Sequence, residues 1–184
     1  MGKDKIHLNP LLPMTYTDTW EASYTTDQPS ADWMNLNFND SDWRKGQAAF
    51  ATRRMPRLGT VWNTEDIWIR RSFDLEQDFS SKELYLMCTN EGVTQLYLNG
   101  EKLFETGYVT TDAKLKLTDD MKKKLSVGKN VLAAHSRKRA GQAINGFVDF
   151  GLFYKNEQIH GFEKEAVQKS VDVLPTQTFY TFVC

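Results

Sequence analysis

The sequence predicts an all-β protein: an antiparallel jelly-roll β-sandwich carrying one or two short helices. Apolar residues alternate with a period of two along most of the chain. Turn signals recur about every 8 to 12 residues, a spacing typical of short antiparallel strands rather than of βαβ units. The aromatic content, 5 Trp, 7 Tyr and 11 Phe, supplies large side chains of the kind that fill the space between two layers.

Each element follows from its pattern. In "DIWIRRSFDL", Ile67, Ile69, Phe73 and Leu75 share one face, with Arg71 the polar exception on it. In "KELYLMCT", Leu84, Leu86 and Cys88 alternate with Tyr85, Met87 and Thr89, so both faces of this strand are expected to be covered. "QLYLNGEKLF" reads as two strands joined at Asn99-Gly100, because both residues tolerate the positive φ of a type I′ turn. "LTDDMKKKLSVGKN" is the helical segment. It has Leu117, Met121 and Leu125 on one side, Thr118 or Asp119 as cap and Gly128 as stop. "NDSDWRKG" is a single turn that tucks Trp43 inward. "NVLAAHS" and "GFVDFGLFY" are two further strands, separated by the polar loop "RKRAGQAING".

At 184 residues the chain suits one domain with tails. The periodic pattern spans residues 14–154. Residues 1–13, broken by two prolines, and residues 155–184, with strand-like stretches after a polar break, stand outside it. Lys+Arg number 23 against 24 Asp+Glu, so no global basic field recruits nucleic acid or an anionic membrane. The run Lys122-Lys123-Lys124 is the solvated face of the short helix. No apolar run approaches the roughly 20 residues needed to span a bilayer. The leading "MGKDKIHLNP" has no apolar signal core, which leaves a cytosolic chain or a piece of a longer exported parent. Cys88 and Cys184 form no disulfide framework.

In order, "NDSDW", "IWIRRSFDL", "EGVTQLYLNGEKL", "VGKNVLAAH" and "GFVDFGL" resemble the galactose-binding-like jelly roll that precedes the catalytic barrel in glycoside hydrolase family 2. The tail "AVQKSVDVLPTQTFYTF" resembles the N-terminal β-sandwich region of bacterial glutaminase-like proteins, in some of which such a module is inserted. The resemblance implies a non-catalytic, carbohydrate-binding or bracing domain of a larger, exported bacterial hydrolase, with other domains of the same polypeptide as its partners. A ligand-free spacer and a stand-alone hydrolase are the alternatives. The chain departs from the family in having only Asn90-Glu91-Gly92 before the hairpin and Arg137, Lys138 and Arg139 in a loop that is usually glycine-rich.

Hydrolysis needs two carboxylates across a cleft; the candidates are Glu65, Asp66, Glu91 and Asp149. Asp149 reads more simply as a structural acceptor, and Glu65 and Asp66 as shaping the turn into a strand. His7, His135 and His160 lack spaced ligand partners, and a Cys88–His135 nucleophile pair competes with Cys88 as inert core. Carbohydrate recognition needs an aromatic face and polar side chains for hydroxyls. Trp20, Trp33, Trp43 and Trp68 have core-like neighbours, whereas Trp62 in "GTVWNTED" is expected to stand exposed. Around it, Glu65, Asn90, Glu91, Arg137, Arg139, Gln142 and Asn145 are expected to form a binding rim. Related sandwiches often hold a structural Ca2+, but "NFNDSDW" lacks extended ligand spacing, so no metal or other cofactor is expected.

Overall fold

A computed structural model describes residues 7–52, 59–138 and 146–155. Twelve strands and one short helix follow in chain order. They are β1 (Leu8–Leu12), β2 (Glu21–Thr25), β3 (Arg44–Gln47), β4 (Phe50–Ala51), β5 (Thr60–Val61), β6 (Asp66–Leu75), β7 (Leu84–Glu91), β8 (Val93–Leu98), β9 (Glu101–Glu105), β10 (Val109–Lys116), α1 (Asp119–Lys122), β11 (Gly128–Arg137) and β12 (Phe147–Lys155). They form the expected β-sandwich of two sheets. One runs β10-β7-β12-β4-β5, with β1 also pairing β12; the other runs β3-β2-β6-β11-β8-β9. Every pairing is antiparallel except the short β4–β5 contact.

Strand parity decides what the core contains. Ile67, Ile69, Phe73 and Leu75 of β6, Leu132 and Ala134 of β11, Leu84, Leu86 and Cys88 of β7, and Val148, Phe150 and Leu152 of β12 fill the interlayer space. At roughly 25 cal/mol per Å2 of apolar surface, this burial is the main favourable term in folding. The opposite face of β6 and β11 is covered as well, by a second cluster of Trp33, Trp68, Val131 and Ala133. Both faces of β7 are buried, as its sequence predicts.

Arg71, the polar exception on its face, is buried between the layers. Its Nη1 donates to the carbonyls of Pro13 (2.8 Å) and Phe150 (3.1 Å), and its guanidinium lies 4.2 Å from the Trp20 ring centroid. Burial pulls its pKa down to about 10, with Asp149 opposing, so it remains a cation at neutral pH.

Two elements differ from the sequence reading. Residues 8–12, set outside the sandwich by their prolines, form β1 on the edge of β12, with Asn9 opposite Tyr154. An edge strand tolerates Pro10 because no second neighbour needs its missing N–H, and the register shifts after it. The helix spans only Asp119–Lys122 and ends well before Gly128, which instead opens β11 with φ 87°. Its cap is Thr118, whose Oγ1 accepts from Met121 N at 3.3 Å. The tail beyond Lys155 lies outside the described residues.

The Asn99-Gly100 turn joins β8 to β9, with φ of 49° and 97°. Asn99 does more than tolerate that backbone. Its Nδ2 donates to the Lys124 carbonyl (2.7 Å) and to Asn130 Oδ1 (2.8 Å), and its Oδ1 accepts from Val131 N (2.7 Å). The hairpin is thereby fastened to the start of β11. Gly100→Val should cost about 1–2 kcal/mol through the left-handed backbone alone. Chemical denaturation would show it as a lowered midpoint with unchanged slope; an unchanged midpoint would refute the strain argument.

Candidate functional site

The site is built on the outward face of the β6–β11 pair. Antiparallel register places Trp68 opposite His135 and Asp66 opposite Arg137. Directly opposed side chains on one face touch, and both pairs do. The Trp68 and His135 rings stack with centroids 4.7 Å apart and planes 3° from parallel. Arg137 donates to both oxygens of Asp66, Nε to Oδ1 at 2.7 Å and Nη2 to Oδ2 at 3.1 Å. His135 Nε2 lies 2.7 Å from the same Oδ1. Because an ionised carboxylate only accepts, that ring nitrogen carries the proton.

The wall facing this ladder is the segment between β2 and β3, which Arg70 holds down. The Arg70 side chain is 2% exposed and bonds Asp40 Oδ2 (3.1 Å), the Asn35 carbonyl (2.9 Å) and the Trp33 carbonyl. Ala133, opposite Arg70 in register, leaves room for the guanidinium. The segment passes over the sheet so that Thr26, Gln28, Ser30 and Trp33 face Thr64, Glu65 and Asp66 across a cavity of about 400 Å3. The far side is a turn fixed by Thr64 Oγ1 donating to the Asp66 carbonyl (2.7 Å) and Lys138 N to the Glu65 carbonyl (2.9 Å). The volume lies in the range of small-molecule sites.

Electrostatically the cavity is a mixed-charge site. Burial would raise the Asp66 pKa, but the hydrogen bonds from Arg137 and His135 outweigh it and hold the carboxyl below its ordinary value of 3.8. Arg137 is raised in turn, first by its bond to Asp66 and more weakly by the charge of Glu65. Asp66 is therefore an anion at neutral pH and has no proton to donate.

Of the residues expected at a binding rim, Glu65 and Arg137 line this cavity together. Trp62 does not, and the expectation of an exposed ring is overturned: it is 2% exposed and packs in the interlayer core. Its polar neighbours in sequence hid this, because Trp62 N bonds the Ala51 carbonyl and draws the residue inward beside β4. Asn90 is buried too, its Nδ2 donating to the carbonyls of Gly92 and Gly107 (2.9 Å for the latter), so it braces the β7–β8 turn. Glu91 is half-buried, opposite Phe147 and Val109, and is not among the side chains lining the cavity. Arg139, Gln142 and Asn145 lie outside the described residues, as do His160 and Cys184.

Trp68, His135 and Asp66 are the residues the rim reading missed. The signal was parity: in "DIWIRR" the even positions point away from the interlayer face, and "AAHSR" carries matching odd positions on its partner strand.

Of the candidate carboxylates, Glu65 and Asp66 line the same cavity, while Glu91 and Asp149 lie on the other sheet. Asp149 lies on the other sheet, buried, where Thr15 N (2.8 Å), Thr15 Oγ1 (2.5 Å) and Trp20 Nε1 (3.1 Å) all donate to it. Desolvation raises its pKa, and those bonds and Arg71 only partly offset it. Cys88 faces the interlayer core while His135 is on the outward face of the opposite sheet, so they form no pair. Burial, with a smaller push from Asp149, drives the Cys88 pKa to about 12, which suppresses the thiolate. Among the described residues, no three His, Cys, Asp or Glu side chains are grouped to hold a metal ion, and no helix is long and apolar enough to cross a membrane.

Neither a family model nor a curated protein matches the chain. Among solved structures it is similar to a calcium-binding mutant of Bacteroides uniformis β-glucuronidase 2, at 19% identity and a TM-score of 0.54, over 76% of this chain and 18% of that one. It is also similar to an uncultured Clostridium sp. β-glucuronidase (10% identity, TM-score 0.54, 85% of this chain and 30% of that one). A third likeness is to a Bacteroides vulgatus β-glycosidase (15% identity, TM-score 0.54, 79% and 20%). At these identities the likeness is one of fold, and it is to a β-sandwich portion of larger glycosidases.

Two outcomes follow from the geometry. Arg70→Ala should destabilise the fold by about 3–5 kcal/mol, since it strands Asp40 and the carbonyls beneath the β2–β3 segment; a loss below 1 kcal/mol in denaturant titration would show that the segment is held otherwise. A carboxyl lowered on folding contributes stability above its unfolded value and loses it as pH falls through the folded one. The stability advantage of wild type over Asp66→Asn should therefore be full well above the ordinary value of 3.8 and shrink below it. An advantage constant from neutral to strongly acidic pH would contradict the ionised Asp66.

Proposed function

We propose that this chain is a non-catalytic accessory β-sandwich of a larger, exported bacterial hydrolase, and that its Arg137 cavity binds carbohydrate weakly. The observation that carries the reading is the cavity's combination of a Trp68–His135 stack, Trp68 buried and His135 half-buried, with the Asp66–Arg137 pair and hydroxyl- and amide-bearing walls. Sugars present apolar C–H faces and many hydroxyls, and such a lining answers both. Accessory status is supported by the share of the similar glycosidases that the chain spans, 18% and 20% for two of them. Within the cavity Asp66 is held ionised by Arg137 and His135 and so lacks the proton a general acid would donate, which supports binding rather than acid–base work.

The parent is either a glycosidase, as the structural neighbours are, or the glutaminase-like protein that the C-terminal segment resembles. The pairing of β1 with β12 brings Asn9 beside Tyr154, which suits a domain inserted between two host segments, because tolerated insertions join at adjacent ends. A bracing role without ligand is the second reading, and it is favoured if the cavity proves empty of sugar affinity.

Glycan-array screening followed by titration should find binding at roughly millimolar Kd, about 4 kcal/mol. Arg137→Ala, at a side chain 62% exposed and tolerant of truncation, should weaken it tenfold or more while the melting temperature stays within a few degrees. Absence of binding to any glycan, or binding indifferent to Arg137, would overturn the carbohydrate reading.

A further inference from the structure

We infer that the Arg137 cavity selects neutral and amino sugars and rejects uronic acids; this rests on the reading of that cavity as a carbohydrate site. Arg137 is the sole cationic Lys or Arg side chain lining the cavity among the described residues. It is the group a ligand carboxylate would need, but of the two edges by which a guanidinium grips a carboxylate, the Nε–Nη2 edge already holds both oxygens of Asp66. A uronate could take that edge only by displacing Asp66, and on the Nη1–Nη2 edge it would compete for Nη2 and lie beside the like charge of Asp66. The displaced carboxylate, whose side chain is 16% exposed, would be left with His135 alone. The exchange forfeits the two hydrogen bonds that Arg137 donates to Asp66.

The remaining charge reinforces the exclusion. Glu65 and Asp66 against Arg137 leave the lining with one net negative charge when His135 is neutral. Beside the lining residues, Asp32 bonds Ser30, Arg44 bonds Thr26 and Lys138 reaches the Asn63 carbonyl, and Asp27 stands between Thr26 and Gln28 in the chain. These outer charges are two acidic and two basic, so they do not reverse the sign inside. The exposed carboxylate of Glu65 is free to meet an ammonium, and Thr26, Gln28, Ser30 and Thr64 offer uncharged groups to hydroxyls. The chemistry of this lining thus opposes transferring a glucuronide ligand from the β-glucuronidases that share the fold.

The test is an NMR titration of the chain at pH 7 and low salt with methyl glucoside, glucosamine and glucuronate, followed on the Trp68 indole and His135 ring signals. Glucosamine should bind at least as well as the glucoside, and glucuronate at least about fivefold more weakly, the size expected of one screened charge at close range. Glu65→Gln should bring the glucosamine-to-glucoside affinity ratio down towards one. Asp66→Asn, which releases the Arg137 fork, should raise the glucuronate-to-glucoside ratio. Glucuronate binding as tightly as the glucoside, or ratios unmoved in both variants, would overturn the selectivity and leave the sugar site standing. Failure of all three sugars to shift either signal would overturn the sugar reading and the selectivity with it.

Discussion

Two adjacent arginines govern how this sandwich is covered. Arg70 and Arg71 are neighbours in β6, so strand parity sends one to each face. Arg70 reaches out and collects backbone carbonyls from the segment between β2 and β3; Arg71 reaches in and collects carbonyls from β12 and from the segment after β1. A buried guanidinium is tolerable only when its donors are satisfied, and irregular backbone supplies carbonyls that regular strands have already committed to their ladders. The two long connections are thereby held against opposite faces of one strand. Without the Arg70 anchor the outward face of β6 and β11 would be bare, and the cavity would have a floor and no wall.

Two aspartates show how the same residue type serves different ends. Asp149 sits in a dry place among neutral donors, and desolvation wins, so its carboxyl is harder to ionise than usual. Asp66 sits half-buried against Arg137 and His135, and hydrogen bonding wins, so it is easier to ionise. Environments that push two carboxyls apart in this way can mark an acid and a base, but only across a shared cleft. Here they lie on different sheets, each consumed by local bonds.

The strand framework was legible because its signals are periodic. The alternation in "DIWIRRSFDL" and "KELYLMCT", and the Asn99-Gly100 turn, are dictated by pleat geometry and backbone sterics that act locally. The edge strands were not: β10, "VTTDAKLK", is polar and largely exposed, and β1 is interrupted by Pro10. Such strands exist because a neighbour offers hydrogen bonds, which no local pattern records. The site was half legible. Glu65 and Arg137 were found by their chemistry, yet Trp62 was placed in solvent because its sequence neighbours are polar, when its partner in space is β4. Trp68 is buried as its sequence neighbours suggest, but its stacking on His135 depends on the register between strands distant in sequence.

The position of β12 bears on how the chain acquires its shape during synthesis. This strand is the last of the described elements, yet it lies inside its sheet, with β7 on one side and both β1 and β4 on the other. β1 and β4 are therefore translated long before the strand that pairs them exists. Until β12 emerges, only the β6-centred sheet and the β7–β10 and β4–β5 pairs have partners, and the apolar surface meant for the second layer stays open to water. Contacts this distant along the chain close late and slowly. The half-built sandwich is a natural client for chaperones, and the moment of layer closure is set by the arrival of residues 147–155.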